Sequence, residues 1–134
     1  MRTTSRLLPL RVAVLLAAGV PCAVYAQTVI TNAGVTVAPA DVRNIYIGEK
    51  QFVGAVRLVP VDNAGIQDRF LVNLLKLDGD KYNSIWAKKS FREGVNPPPL
   101  KSSDSEVVEF VRRTPGAVGY VGDASKAVGV NVVK

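Results

Sequence analysis

The sequence predicts an α/β fold with one small, mostly parallel sheet of four or five strands and four helices packed on it. Short β-branched segments alternate with segments whose apolar residues recur at helical spacing, and turn residues separate the two kinds. The clearest boundary is Thr114-Pro115-Gly116. A helix must end before the proline, Gly116 can adopt a positive φ, and a small apolar segment suited to a covered strand follows.

The first 26 of the 134 residues differ from the rest. Three arginines precede an apolar segment over residues 12–20 that is too short to span a bilayer. Val24-Tyr25-Ala26 then suits a cleavage site. We therefore expect a signal peptide over residues 1–26, one domain over residues 27–134, export to the periplasm and no stable membrane insertion after cleavage. The alternatives are an uncleaved membrane anchor and a lipid on Cys22.

The composition of the expected mature chain excludes several functions. Removing three arginines leaves 14 basic residues against 11 acidic ones, a net charge of +3 that is scattered along the chain. Nucleic-acid binding needs a clustered basic face, so we expect none. The whole chain has no histidine, and its one cysteine lies in the signal peptide. The usual general base and thiol chemistry are therefore absent, and we predict no enzymatic activity, no cofactor and no metal site.

The predicted elements follow from local signals. Residues 28–31 form the first strand, and residues 35–37 extend it or form its neighbour. Pro39 begins a helix that Gly48 ends. Ser103 and Glu106 form the capping box of the last helix. The remaining expectations are a strand over 57–61, a turn over 62–65, helices over 66–76, 80–89 and 103–113, an irregular segment over 91–100, and strands over 117–121 and 128–133.

Four segments carry a further pattern over nearly the whole mature chain. They are Ile45-Tyr46-Ile47-Gly48-Glu49-Lys50, Tyr82-Asn83-Ser84-Ile85-Trp86, Phe91-Arg92-Glu93-Gly94 with Pro97-Pro98, and Thr114-Pro115-Gly116-Ala117-Val118-Gly119-Tyr120-Val121. In this order and spacing they resemble the short, exported relatives of the phosphate-binding proteins of phosphate ABC transporters. The resemblance implies the type 2 periplasmic binding-protein fold, and a chain of this length can supply one of its two lobes.

The resemblance also indicates a candidate site. Full-length members of the family close two lobes on phosphate and carry a Ser-Gly-Thr-Arg loop at the start of the helix after the second strand. Residues 63–69 occupy that position here, with a glycine and an arginine retained but without the two hydroxyl residues. A helix N-terminus also favours anions. We therefore predict a candidate oxyanion site at Asn63, Gly65, Gln67 and Arg69. The alternative is an ordinary turn followed by a solvated arginine.

The function implied by the resemblance is that of an exported, solute-binding-like protein that binds phosphate or a related oxyanion weakly, with an ABC transporter or another envelope protein as a partner. The alternative is an exported protein-interaction module that kept the fold and lost the ligand. Tyr82, Trp86 and Phe91 suit either an apolar groove or, more simply, the core. Lys88, Lys89 and Arg92 suit either an acidic partner or a solvated face.

Overall fold

The computed structural model describes residues 27–134. The predicted signal peptide over residues 1–26, including Cys22, lies outside the described residues. Within residues 27–134, no helix is long and apolar enough to cross a membrane.

A four-stranded sheet forms the centre of the domain. Its spatial order is β4-β7-β1-β8, with β1 at Thr28–Thr31, β4 at Val59–Pro60, β7 at Ala117–Val121 and β8 at Asn131–Val132. The central strand β7 is fully buried, as its small apolar sequence predicts. β7 pairs with β1, with Thr28 opposite Val121 and Thr31 opposite Val118.

Strand directions in this sheet are mixed. β4 runs parallel to β7, with Val59 opposite Ala117, whereas β1 runs antiparallel to both β7 and β8. The predicted α/β class with four helices and a small sheet is confirmed. The antiparallel direction of β1 distinguishes this sheet from the mostly parallel one that the sequence predicts. Because β1 is antiparallel to β7, the start of β1 lies at the same edge of the sheet as the end of β7.

Two short strand pairs flank the central sheet. β2 at Phe52–Val53 and β3 at Val56–Arg57 form a hairpin, and β5 at Asp62–Asn63 runs parallel to β6 at Leu100–Lys101. The predicted continuous strand over 57–61 is therefore divided. The predicted turn over 62–65 begins as a strand, and the irregular segment over 91–100 ends in one. The division arises because Val56–Arg57 pairs with β2 whereas Val59–Pro60 pairs with β7. The other two corrections have one cause: β5 and β6 pair across a long stretch of chain, which local patterns do not reveal.

Four α-helices cover the two faces of the sheet. They are α1 at Val42–Tyr46, α2 at Gln67–Phe70, α3 at Gly79–Glu93 and α4 at Asp104–Arg113. A 3-10 turn at Pro39–Asp41 precedes α1, a π-helical segment at Leu71–Leu75 continues α2, and a 3-10 turn at Ala124–Lys126 follows β7. The predicted last strand over 128–133 is shorter than expected, because only the residues of β8 reach β1.

Helix α3 is longer than predicted. It begins after Asp78, whose carboxylate accepts a hydrogen bond from the backbone N–H of Lys81, and it ends at Gly94 with a φ of 67°. The chain offers no helix breaker before that glycine, so the helix continues through the residues expected to be irregular. Phe91 consequently lies on an exposed turn of the helix and not in the core: 93% of its surface is accessible.

The junction at Thr114–Gly116 is confirmed. Thr114 is extended, with φ −107° and ψ 112°, and Gly116 has a φ of 78°. Alternation along β7 then sends side chains to two apolar clusters. Val118 and Tyr120 face α1, α2 and α3, while Ala117 and Val121 face α4. The site described next lies where β7 ends.

Candidate functional site

The candidate site lies at the edge of the sheet where β7 ends. Gly122 and Asp123 follow β7 directly, and Ile66 and Arg69 follow β5 in the loop and helix that come next. Gln27 precedes the antiparallel β1 and so reaches the same edge. In open α/β sheets, ligands bind beyond the carboxyl ends of the parallel strands. This edge is therefore the place where the fold would accommodate one.

Asn63 is a structural residue of this edge. It is buried, and its amide nitrogen donates to Oδ1 of Asp104 at 2.7 Å and to the carbonyl oxygen of Tyr120 at 3.1 Å. Its Oδ1 accepts from the backbone N–H of Gly65 at 3.1 Å. Both donors of the Asn63 amide and the N–H of Gly65 are thus engaged within the protein. Asn63 and Gly65, two of the four predicted ligand residues, therefore stabilise the loop through hydrogen bonds within the protein.

Gln67 and Arg69 lie on different sides of α2. Gln67 lines a groove above Asp62, whereas Arg69 lines a separate groove at the sheet edge. The structure therefore brings Asn63 and Gly65 together but places Gln67 and Arg69 apart. Because α2 has only four residues before the π-helical segment, its N-terminus contributes a weak dipole. Of the predicted set, Arg69 is the side chain available to an anion at the edge.

The Arg69 groove, as we name it, has a volume of about 290 Å³. It is lined by Gln27, Ile66, Arg69, Asp104, Gly122 and Asp123. Arg69 is exposed, and no carboxylate within residues 27–134 lies at ion-pair distance from it. One cationic side chain thus faces two carboxylates across a small space, and the side chains of the lining carry a net charge of −1. Cleavage after Ala26 would add the positive α-ammonium group of Gln27.

Asp104 fixes the far wall of the Arg69 groove. Its Oδ1 accepts from Asn63 and from the backbone N–H of Gly122 at 3.1 Å, and its Oδ2 accepts from the backbone N–H of Asp123 at 3.0 Å. Asp104 lies in the first turn of α4, where a negative charge is favoured by the helix dipole. Its carboxylate therefore holds the loop after β7 against the start of α4.

Asp123 is oriented by its own turn. Its Oδ1 accepts from the hydroxyl of Ser125 at 2.6 Å and from the backbone N–H of Ser125 at 3.0 Å. The hydroxyl and backbone hydrogen bonds from Ser125 lower the pKa of Asp123. The carboxylate is therefore negative throughout the neutral pH range.

Gln27 is the least satisfied residue of the groove. The residue is 6% exposed, yet within residues 27–134 neither Nε2 nor Oε1 of its side chain has a hydrogen-bond partner. Buried amide groups are nearly always paired, and an unpaired one is costly. Sequence analysis did not single out Gln27, Asp104 or Asp123. Only the antiparallel placement of β1 brings the first of them to the other two.

Asp62 forms a second polar cluster on the other side of α2. It is 2% exposed, and its Oδ2 and Oδ1 accept from the hydroxyls of Tyr82 at 2.7 Å and Tyr120 at 2.9 Å. Burial raises the pKa of Asp62, although hydrogen bonds from the two tyrosines and Gln67 oppose that shift. Burial and the nearby Asp62 raise the pKa of both tyrosines. All three groups therefore favour their neutral forms more than usual.

The groove above Asp62 has a volume of about 520 Å³ and includes Gln67, Tyr82, Trp86, Pro98 and Leu100 in its wall. Tyr82 and Trp86 themselves belong to the apolar core, and the indole N–H of Trp86 donates to the carbonyl oxygen of Tyr46 at 2.9 Å. Of the two interpretations offered by the sequence, an apolar groove or the core, the core is the one that holds for Tyr82 and Trp86.

The basic residues near the end of α3 are a solvated face. Lys88 and Arg92 are exposed, and Lys89 pairs with Glu93 at 3.1 Å. Within the part of the chain that the structure describes, no cluster of three or more histidine, cysteine, aspartate or glutamate residues is placed to hold a metal ion.

Comparison with known proteins shows what this arrangement is similar to. No protein-family model and no curated protein sequence matches the chain. Among solved structures, PstS from Borrelia burgdorferi matches 81% of this chain with a TM-score of 0.57 and 18% sequence identity. The two share a fold. The match covers 46% of the PstS chain, so this protein spans about half the length of that relative, as expected for one lobe.

Proposed function

We propose that this protein is a periplasmic, solute-binding-like protein that holds a small oxyanion such as phosphate weakly in the Arg69 groove. The observation that carries the proposal is the position of Arg69. It is an exposed guanidinium at the edge of the sheet where β7 ends, in a chain that has the fold of PstS. Phosphate itself is suggested by the sequence resemblance to phosphate-binding proteins.

The binding should be weak for three physical reasons. Two-lobed binding proteins close around a ligand, whereas one lobe leaves the ligand hydrated on one side. Water and salt screen the attraction of an exposed Arg69. The lining also includes Asp104 and Asp123, which repel an anion. A dissociation constant on the order of a millimolar, or roughly −4 kcal/mol, is expected for phosphate.

Export is part of the proposal and is supported by the basic and apolar order of residues 1–26. In the periplasm, the partners would be the small oxyanion and an ABC transporter or another envelope protein.

Calorimetric titration with phosphate tests this function. The protein expressed from its full-length chain should bind with a millimolar dissociation constant, and Arg69→Ala should abolish the binding. Arg92→Ala is the matched control, because it removes an exposed arginine that does not line the groove. Binding that persists in Arg69→Ala, or that is lost equally in Arg92→Ala, would exclude the Arg69 groove as the oxyanion site.

A second candidate function is that of an exported protein-interaction module. The observation that favours it is a set of exposed apolar side chains: 93% of Phe91, 57% of Leu100 and 51% of Phe52 are accessible. A photoreactive amino acid at position 91 should then form a covalent adduct with one envelope protein in the periplasm. The exposed position 84 on the same helix is the control. Equal labelling from both positions would argue against a specific surface.

A further inference from the structure

A third groove lies between the β2–β3 hairpin and α3. It has a volume of about 230 Å³, and its lining includes Arg57 of the hairpin, Trp86 of α3 and the three consecutive prolines at residues 97–99. We call it the proline groove. It shares no lining residue with the Arg69 groove. A ligand held here would therefore be additional to the oxyanion of the proposed function.

The walls of the proline groove are mostly apolar. Ile45 and Leu58 line it from the buried core, and the prolines at residues 97–99 offer rings and carbonyl groups but no backbone N–H donor. The carbonyl oxygen of Pro99 accepts from the backbone N–H of Asp62 at 2.8 Å, which holds the proline segment in place. These walls suit an apolar group, because its transfer out of water is favourable.

The charged residues of the lining are both cations. They are Lys50 and Arg57, and within residues 27–134 no aspartate or glutamate lines this groove. Asp41, which lies outside the lining, pairs with Lys50 at 3.0 Å and balances its charge. Arg57 is exposed, and no carboxylate in the described part of the chain lies at ion-pair distance from it. The groove therefore combines apolar walls with one unbalanced positive charge.

This combination distinguishes between classes of ligand. An inorganic oxyanion would be attracted by Arg57, but the apolar walls offer few donors to replace its water. A neutral apolar molecule would be buried by the walls and would leave Arg57 without a partner. A molecule with an apolar body and one anionic end matches both features of the groove.

From the apolar walls and the unbalanced charge we propose that the proline groove binds a small apolar carboxylate. The carboxylate lies on Arg57, whose planar guanidinium matches its geometry, and the apolar body lies against Trp86 and the prolines. An apolar cavity of about 150 Å³ holds a benzene molecule. The proline groove, at about 230 Å³, therefore has room for a body of one six-membered ring.

The test separates the ring from the charge. The protein expressed from its full-length chain is titrated by calorimetry with cyclohexanecarboxylate, cyclohexylmethanol and acetate at one ionic strength. The ring acid should bind about tenfold more tightly than acetate, because acetate has no ring to bury. It should bind roughly two- to fivefold more tightly than the alcohol, which is the range of an exposed ion pair.

Trp86 gives a second readout, because it is the one tryptophan of the chain and it lines the groove. A bound ring that excludes water from the indole should shift the tryptophan emission to shorter wavelength. Trp86 also lines the groove above Asp62. Variants of residues that line the proline groove but not its neighbour are therefore needed to locate the ligand.

Arg57→Gln and Asn96→Asp provide these variants, because both residues are exposed and line the proline groove but not the other two. Each substitution makes the lining more negative by one charge. Each should weaken binding of the ring acid roughly two- to fivefold and leave binding of the alcohol unchanged. Arg92→Gln is the matched control, since Arg92 is exposed and lines none of the three grooves. A thermal melt of each variant verifies that the protein remains folded.

Several results would overturn the inference. If acetate binds as tightly as the ring acid, the apolar walls contribute nothing. If the alcohol binds as tightly as the acid, or if Arg57→Gln leaves acid binding unchanged, Arg57 does not hold the carboxylate. If acid binding is lost in Arg69→Ala and retained in Arg57→Gln, the acid occupies the Arg69 groove as an oxyanion; the proposed function then stands and the inference fails. If none of the three probes binds, the inference fails, and the phosphate titration still tests the proposed function separately.

Discussion

Asp62 ties three elements together through one buried carboxylate. It belongs to β5, and it accepts hydrogen bonds from Tyr82 on α3 and from Tyr120 on β7. Tyr46 completes this cluster from α1, with its hydroxyl donating to the carbonyl oxygens of Val61 and Val118. Polar groups that are buried in this way stabilise one arrangement of elements, because any other would leave them unpaired.

The stability of the fold should therefore depend on the ionisation of Asp62. Burial raises its pKa in the folded state. As pH rises from the usual pKa of an aspartate to this higher value, the unfolded state loses the proton first. The free energy of unfolding consequently falls, by about 1.4 kcal/mol for each unit of pKa difference. Asp62→Asn cannot titrate, so the decrease should be absent in that variant.

Urea denaturation of both proteins between pH 4 and pH 8 checks this prediction. The free energy of unfolding of the wild type should decrease relative to that of Asp62→Asn as pH rises through the window. A constant difference between the two proteins over the whole range would show that Asp62 keeps the same pKa folded and unfolded.

The roles of individual residues were harder to predict from the sequence than the elements or the fold class. Asp62 and Asn63 carry ordinary turn chemistry, and the sequence offers no local sign that tyrosines and an aspartate far along the chain will meet them. Arg69 is the predicted ligand residue that the structure leaves available. The predicted oxyanion site at Asn63, Gly65, Gln67 and Arg69 stays a prediction. The hydrogen bonds of Asn63 and Gly65 show only how the loop is held.

At the scale of elements, local rules worked where the chain itself carries the stop signal. β1 and β7 have the predicted bounds, and α4 ends after Arg113, one residue before the extended Thr114. They failed for the two pairs of two-residue strands: the β2–β3 hairpin, which is local, and the β5–β6 pair, which joins distant parts of the chain, were not predicted. The short strands of these pairs have little hydrophobic alternation, so their partners alone define them.

The turn before β7 gives a prediction at this scale. Gly116 has a φ of 78°, and a side chain there would overlap the carbonyl oxygen of Arg57 on the neighbouring hairpin. Gly116→Val should therefore lower the free energy of unfolding by more than about 1 kcal/mol. Gly54 also has a positive φ, at 58°, but no atom beyond its immediate chain neighbours lies within 4 Å of a Cβ added there. Gly54→Val is thus the matched control.

Urea denaturation separates the two causes. Both variants share the strain of a positive φ, so the additional loss in Gly116→Val measures the contact with the hairpin. Equal losses in the two variants would mean that the hairpin moves away freely and that close packing at this turn contributes little.

At the scale of the whole molecule, the described chain forms a lobe of the size that the resemblance implies. It covers 46% of PstS, and its candidate groove opens at the edge of a single sheet. The fold class was predictable because the alternation of strands and helices is a property of the entire sequence. The mixed strand directions were not, because nothing local tells β1 which way its neighbour will run.

Export is a prediction about the whole chain. The basic residues, the apolar segment over residues 12–20 and the sequence Val24-Tyr25-Ala26 predict cleavage after Ala26. The protein recovered from the periplasm should have the intact mass of residues 27–134. A mass that includes residues 1–26, or one that carries a lipid on Cys22, would show that the chain is anchored.

The last prediction concerns the missing second wall. Because the Arg69 groove is open to solvent and Arg69 is exposed, the weak binding of phosphate should decline further as salt shortens the Debye length from about 10 Å at 0.1 M to about 3 Å at 1 M. A ligand enclosed between two walls would be screened much less. Titration of phosphate at several salt concentrations measures this dependence, and size-exclusion chromatography under the same conditions reports the oligomeric state.

The two measurements are interpreted together. Millimolar binding by a monomer that weakens with salt supports one open wall. Micromolar binding by a monomer would refute the argument, since a single exposed arginine between two aspartates cannot supply it. Micromolar binding that is insensitive to salt and appears only in a dimer would mean that a second copy of the chain supplies the other wall, in place of the second lobe of the full-length proteins.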